Sequence, residues 1–387
     1  MKENIEKHTL NAGYTVFSNK SDKKISEQLK NQVIKSSYNT ISVIMTFYNA
    51  EQFIGQAVNS VLVQYTGSEG KENFKIEFIL VDDKSTDNSR NIVESMVKEF
   101  NSKIKNNYSF NTEVKIIEPE TNLGCGGARK FGIEHASGDY YMFLDADDYY
   151  INADFIMRAH ETIRRGNYDI VEYGMRINSG TGEVQNTGVS AGVDIIDNPR
   201  LAELAIFRDN VIKFNVWTKI YKADIIKSFP YSDSRTFEDV RTIPIWVKNA
   251  KRIRIEPGIE INYRSNSASI IRNDIITTRL GTITAIASLF ETFKTDIDVM
   301  KAMYGRAMVD LTAILHNHSS DDEGFIEMSK LNTDMLRYIY KEDWMKVTFN
   351  PDIEEYSKQQ IDFIQSLQQQ QQQQQPVQPE PIGNKNK

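Results

Sequence analysis

The sequence predicts an α/β protein built on a mostly parallel sheet with helices on both faces, and three observations carry that expectation. Short β-branched and aromatic runs alternate with segments of helical apolar spacing from about residue 40 to residue 150. The runs are nearly continuous in apolar residues, which suits strands covered on both faces. Three of them end in polar or acidic groups, and in an open α/β sheet ligands bind outside the carboxyl ends of the strands.

The elements follow in order. Ile41 to Thr46 reads as a first strand ending in the polar break Tyr48-Asn49. Phe53, Ile54, Ala57, Val58, Val61, Leu62 and Tyr65 then recur on one helical face. A second strand, Ile76 to Val81, ends in Asp82-Asp83; in the turn behind it Ser85 or Asp87 suits the N-cap of a helix carrying Ile92, Val93, Met96 and Val97. A third strand, Val114 to Ile117, leads to the loop Asn122 to Gly127 and a helix from Ala128 to Ala136. The fourth, Tyr140 to Leu144, stops at Asp145-Ala146-Asp147-Asp148, three carboxylates in four residues. Alone, that run fits a solvated Asp-rich turn as well as a divalent-cation site. Three polar strand ends at one edge favour the site.

Composition bounds the rest. The 387 residues are 40% hydrophobic and 26% charged, enough for one large or two modest domains. A net charge of −7 argues against a general nucleic-acid binder, which needs a basic surface, and leaves room only for a local basic patch. The one cysteine, Cys125, forms no intrachain disulfide, and with no adjacent His it is a poor nucleophile. Met1 to Asn4 lack a signal-peptide core and no run approaches ~20 apolar residues, so a cytoplasmic setting is the expectation. The expected organisation is a flexible arm or short packing helix over 1–39, with Ile25, Leu29, Val33 and Ile34 as its apolar positions. A ligand-binding half over 40–150, a second half over 151–270 and a helical appendage over 271–366 follow. Residues 367–387 form a tail with eight consecutive glutamines before a proline-rich stretch, a composition that stays disordered.

Four strings now matter together: Ser42 to Asn49, Val81 to Ser89, Asn122 to Gly132 and Phe143 to Asp148. In order and spacing they resemble the motifs of family 2 glycosyltransferases, which have the nucleotide-sugar-binding GT-A fold. The likeness runs over roughly residues 40–265, with Thr46 in place of a commoner proline and Lys84 where glycine is frequent. The resemblance implies that Tyr48 and Asp83 hold a uracil by stacking and by accepting its imide proton, with Thr46, Asn49 and Glu51 completing the nucleoside pocket. It implies that Gly127 and Arg129 line the donor site near the ribose or diphosphate. A tight strand-to-helix turn is an equal reading of the Gly124 to Gly127 loop. Asp147 is the implied Mn²⁺ or Mg²⁺ ligand, and Asp145 the implied contact to the ribose and, through water, to the metal. Asp148 either orients these two or starts the next turn.

The second half is expected to bind the acceptor. Asp169 to Gly174 reads as a strand, and Val216 to Tyr221 resembles a tryptophan-lysine segment of the family. Trp217 offers a flat face to a sugar or fills the core; Lys219 faces a phosphate or a structural carboxylate. Arg235 to Val240 resembles the family's Glu-Asp motif. Single displacement at an anomeric carbon needs one carboxylate as base. Asp239 is the choice and Glu238 the second candidate, while both also suit a helix first turn. Tyr263-Arg264, with Ser267 and Ser269, matches a segment near donor phosphates. Leu280, Ile283, Ile286, Leu289 and Phe290 mark the appendage. His316 and His318, two apart on a helix, face different ways and do not make a metal pair.

The resemblance therefore implies an inverting, metal-dependent hexosyl- or N-acetylhexosaminyl-transferase of polysaccharide biosynthesis. It would move sugar from a UDP-sugar to a hydroxyl of a glycan or glycolipid acceptor, with peripheral membrane association where the acceptor is lipid-linked. The absence of a membrane span and of a Gln-x-x-Arg-Trp motif argues against a processive synthase. A catalytically silent nucleotide-sugar-binding scaffold is the alternative. A nucleotidyltransferase would need a basic, glycine-rich signature near the first strand, which Thr46 to Asn49 lack.

Overall fold

The structure, a computed structural model, describes residues 5–9, 15–19, 39–66, 74–104, 111–178, 184–264 and scattered positions between 281 and 303. The apolar positions of the arm at Ile25 to Ile34, Leu280, Ile283, Ile286, His316, His318 and the glutamine tail lie outside those residues. Ile5–Thr9 pairs antiparallel with Thr15–Asn19, apart from the main sheet.

Ten strands form that sheet. The first four are the expected ones: β1 (Thr40–Phe47), β2 (Lys75–Asp82), β3 (Thr112–Ile117) and β4 (Tyr140–Asp145). They run parallel in the order β3-β2-β1-β4 and alternate with α1 (Ile54–Leu62), α2 (Ser89–Ile104) and α3 (Gly124–Glu134). After β5 (Tyr149–Tyr150) and α4 (Phe155–Arg165) come β6 (Ile170–Asn178), β7 (Val184–Thr187), β8 (Val193–Ile196) and α5 (Pro199–Phe207). A short 3-10 turn, Val216–Thr218, precedes β9 (Lys219–Lys222) and α6 (Ala223–Ser228). The last long elements are α7 (Glu238–Asn249) and β10 (Arg252–Arg264), and α8 (Phe290–Phe293) follows them. The sheet continues from β4 as β9-β6-β10-β8. Parallel pairing dominates only the first half. β9 lies antiparallel to both β4 and β6, and β8 antiparallel to β10, so the second half is mixed.

Register decides which side chains meet. Ile44 stands opposite Ile79 and Phe143, and Thr46 opposite Val81 and Asp145. Since side chains alternate along a strand, Thr46, Asp83 and Asp145 share one face at the carboxyl edge. α3 lies on that face, so closely that a Cβ at Gly132 would stand 2.6 Å from Ile44. α7 covers the same face farther along, with Trp246 against Phe143 and Tyr221. On the opposite face His160 of α4 packs against Tyr140 and Phe74. Ile41, Val43, Met45, Phe78, Leu80 and Phe143 between these layers are fully buried. Among the described residues no helix is long and apolar enough to cross a membrane.

One buried acid ties the amino edge of the sheet together. Glu77 accepts from Ser42 Oγ (2.5 Å), the Ser137 amide (2.8 Å) and hydroxyl (2.9 Å), and Lys115 Nζ (2.6 Å). Burial pushes its carboxyl up, but Lys115 and these donors outweigh burial and bring it down to about 2 from 4.5. A lowered folded-state value stabilises the fold above the unfolded value, and that contribution is lost as pH falls through the folded one. Urea denaturation of the wild type should therefore lose about 2 kcal/mol from this group between pH 5 and pH 3. Glu77→Gln should be less stable at pH 7 and lack that part of the acid slope; equal slopes in the two proteins would remove Glu77 from this role.

Candidate active site

β4 delivers its acids where the parallel sheet opens. One carboxylate oxygen from each of Asp145, Asp147 and Asp148 lies within 4.8 Å of the others. Asp148 is fully buried: its Oδ1 accepts the Arg264 amide at 2.9 Å, and its Oδ2 has no hydrogen-bond partner. Burial, and next the Asp145 charge, push the Asp147 carboxyl up to about 6, and burial with both neighbours raises Asp148 well above its usual range. Such a set of hard oxygen donors, with one buried oxygen unpaired, fits a divalent cation such as Mn²⁺ or Mg²⁺.

Arg129 joins this cluster to the second pair of acids. Buried in α3, its guanidinium pairs with Asp145 and with Glu238, at the first turn of α7, and meets the Tyr231 hydroxyl at 3.3 Å. Gly126 makes the approach possible: a Cβ there would stand 2.2 Å from the Ser234 carbonyl oxygen and 2.9 Å from Glu238 Cβ. Phe237, just before Glu238, takes a left-handed φ of 57°, an uncommon conformation for a bulky residue. Its ring lies against Gly281, where a Cβ would come within 2.1 Å. Asp239 accepts the Val240 amide at 2.7 Å, and burial, with the Glu238 charge beside it, pushes its carboxyl up while Arg129 pulls it back.

At the nucleoside end the predicted residues divide. Tyr48 is 52% exposed just beyond the end of β1. Asp83 accepts the Leu123 and Gly124 amides at 2.7 and 2.8 Å, and each of its oxygens retains a second lone pair. Asn49, at φ 50°, turns its carbonyl to the Thr86 amide (2.8 Å), and Glu51 accepts the Asn88 amide (3.0 Å). These two brace the turn before α2, whose first amide, of Ser89, goes to Asp87. Thr46 sits beside Asp145 in register.

The glycine loop is already the first turn of α3, so its amides are partly engaged by Asp83. Gly127 is buried, with room for a Cβ blocked by Leu123. Arg129 points inward to Asp145, itself the implied ribose contact, and to Glu238. Burial raises the Cys125 thiol well above its usual value. Trp217 is buried and stacks on Tyr263, with centroids 5.5 Å apart. Lys219 is wholly buried, donating to the Lys213 and Asn215 carbonyls at 2.7 Å each, with Glu172 at 3.6 Å. Of its two readings the structural carboxylate holds. Arg264 lies over the Tyr149 and Phe53 rings, 5.0 and 5.3 Å from their centroids. Tyr231 was not foreseen, because a loop tyrosine carries no periodic signal.

The sequence profile described as glycosyl transferase family 2 matches residues 42–214, from β1 to just before β9. Residues 42–214 therefore form a glycosyl transferase family 2 domain. Among the proteins similar to this chain is an uncharacterized glycosyltransferase of Haemophilus influenzae, 35% identical over 33% of the chain and 46% of that protein. The poly(ribitol-phosphate) beta-glucosyltransferase of Bacillus spizizenii is 27% identical over 58% of the chain and 32% of its own length. The poly(ribitol-phosphate) beta-N-acetylglucosaminyltransferase TarS of Staphylococcus aureus is 27% identical over 55% and 33%. The chain thus spans less than half of each of these relatives. Its fold matches the crystal structure of TarS 1–349 in complex with UDP-GlcNAc, with a TM-score of 0.59 and 18% identity over 88% of this chain and 93% of that one. The architecture is GT-A.

Close packing of α3 on the 232–238 turn yields a prediction for this site. Gly126→Ala should displace the turn and cost about 1–3 kcal/mol in chemical denaturation. Unchanged stability would show that the turn yields without strain.

Proposed function

We propose that the chain is an inverting, metal-dependent glycosyltransferase that moves a hexosyl or N-acetylhexosaminyl group from a UDP-sugar to a hydroxyl of a glycan or glycolipid acceptor. The observation that carries this reading is the Arg129 bridge, which sets the β4 acids and the α7 acids against one buried cation. Support also comes from the relatives: two are named for sugar transfer to poly(ribitol-phosphate), and the TarS fold has been seen with UDP-GlcNAc. A phosphate-bearing polyol chain is accordingly the acceptor class we favour. On this reading the chain works in the cytoplasm, peripherally at the membrane when its acceptor is lipid-linked.

The roles follow from placement. Tyr48 stacks on the uracil, and Asp83 accepts its imide proton on a remaining lone pair. A Mn²⁺ or Mg²⁺ ion held by Asp147, with Asp145 and Asp148 beside it, would stabilise the charge gathering on the departing diphosphate. Glu238 is held by Arg129 as a paired anion, which leaves Asp239 as the base. As the acceptor oxygen bonds to the anomeric carbon, the bond from that carbon to the UDP oxygen breaks and UDP leaves with the electron pair. The acceptor's proton passes to Asp239, and attack from the side opposite UDP inverts the centre.

Two variants test the reading. Asp147→Ala should stay folded and lose the Mn²⁺-stimulated part of UDP affinity in calorimetry; an unchanged metal dependence would remove the metal role. Asp239→Asn should bind UDP as the wild type does while acceptor-dependent transfer falls by about 10²–10⁴-fold. Equal turnover would move the base elsewhere, and a wild type that binds UDP yet transfers nothing across a broad donor and acceptor panel would leave a binding scaffold.

A further inference from the structure

Face alternation continues beyond the catalytic strands. Ile220 of β9 stands opposite both Met142 and Val171, so β4 and β6 run the same way, and Asp145 is level with Gly174. Arg176 lies two residues farther along β6, on the face that carries Asp145. With strands about 4.8 Å apart and a rise of about 3.3 Å per residue, its backbone is roughly 12 Å from that of Asp145.

Arg176 pairs in register with Asn262 of β10, which puts their side chains next to each other. Arg176 Nε and Asn262 Oδ1 are both buried, and neither has a hydrogen-bond partner. Asn262 is only 3% exposed. Among the described residues no carboxylate pairs with Arg176, whereas Arg129, Arg158, Arg200 and Arg254 each have at least one. An unmade buried donor or acceptor costs about 1–3 kcal/mol, and native proteins keep few of them. Here a buried donor and a buried acceptor in register on adjacent strands each lack a partner, on a cation without a counter-ion.

We propose that Arg176 and Asn262 form an acceptor subsite for a phosphodiester-linked polyol or glycan. The guanidinium takes a phosphate adjoining the unit that receives sugar, because its planar fork matches phosphate oxygens. Asn262 accepts a hydrogen bond from a hydroxyl of the same unit. The spacing suits this division: the reacting hydroxyl lies at the β4 and α7 acids, and the neighbouring phosphate reaches the β6 edge. The subsite deepens the transferase reading and rests on it.

The test uses the intact chain, with a ribitol-phosphate oligomer, a neutral oligosaccharide of similar length, and UDP as probes in calorimetry. Arg176→Gln should weaken oligomer binding about 10- to 100-fold and leave UDP and the neutral probe unaffected. Arg176→Lys should recover part of the loss, since it keeps the charge but not the fork. Asn262→Ala should weaken the oligomer without changing the salt dependence of its binding. Equal oligomer binding by wild type and Arg176→Gln, or no oligomer binding by the wild type, overturns the subsite. A matching loss of UDP affinity also overturns it and gives Arg176 to the donor diphosphate. The two readings fail separately. Oligomer binding that depends on Arg176, with no sugar transfer by the wild type, sinks the transferase and keeps the subsite. Transfer by Arg176→Gln at an unchanged acceptor KM sinks the subsite and keeps the transferase.

Discussion

The site depends on one buried cation. Arg129 lies between Asp145 on a strand end and Glu238 on a helix start, residues far apart in sequence that would repel each other without it. A buried pair is costly to form from water, and removing one partner leaves a charge uncompensated. The fold therefore constrains everything around the guanidinium. Gly126 and Gly132 let α3 approach both the 232–238 turn and the sheet, and the left-handed Phe237 aims the first turn of α7. The electrostatic knot sets two neighbouring acids apart: Glu238 is paired, and Asp239 is left with its affinity for a proton raised by burial and by Glu238.

Much of the first half was legible because the signals there are local. A run such as Ile76 to Val81 has one compatible environment, a strand covered on both faces, and the acids at its end need only the chain direction to be placed. The same logic put Asp145 and Asp147 at the carboxyl edge. The second half was less legible. β9 has four residues and inserts antiparallel between strands that precede it by tens of residues, a pairing set by tertiary packing and not by its own pattern.

Individual roles were legible only where a side chain had one thing to do. Trp217 and Lys219 had two readings each, and burial chose between them. Asn49 closes the first string that resembles the family and Glu51 follows it, and their polar atoms brace the turn ahead of α2. Arg129 was named from the sequence, but its partners stand 16 and 109 residues away, and no spacing rule connects them. Arg176 and Asn262 gave no signal at all, since an arginine in a strand is ordinary until its missing partner is seen.

The unbroken ladder has a mechanical consequence. From β3 at one edge to β8 at the other, backbone hydrogen bonds run through the parallel half and the mixed half of the sheet without a gap. Bending between the halves would shear the β4-β9 and β9-β6 pairings, so the two cannot hinge about each other as separate lobes do. The distance between strand-end acids and the carboxyl end of β6 is then a ruler set by the sheet itself. On the proposed reading, closing over substrates would fall to segments outside the ladder, and acceptors would be selected by how their repeat length matches that ruler.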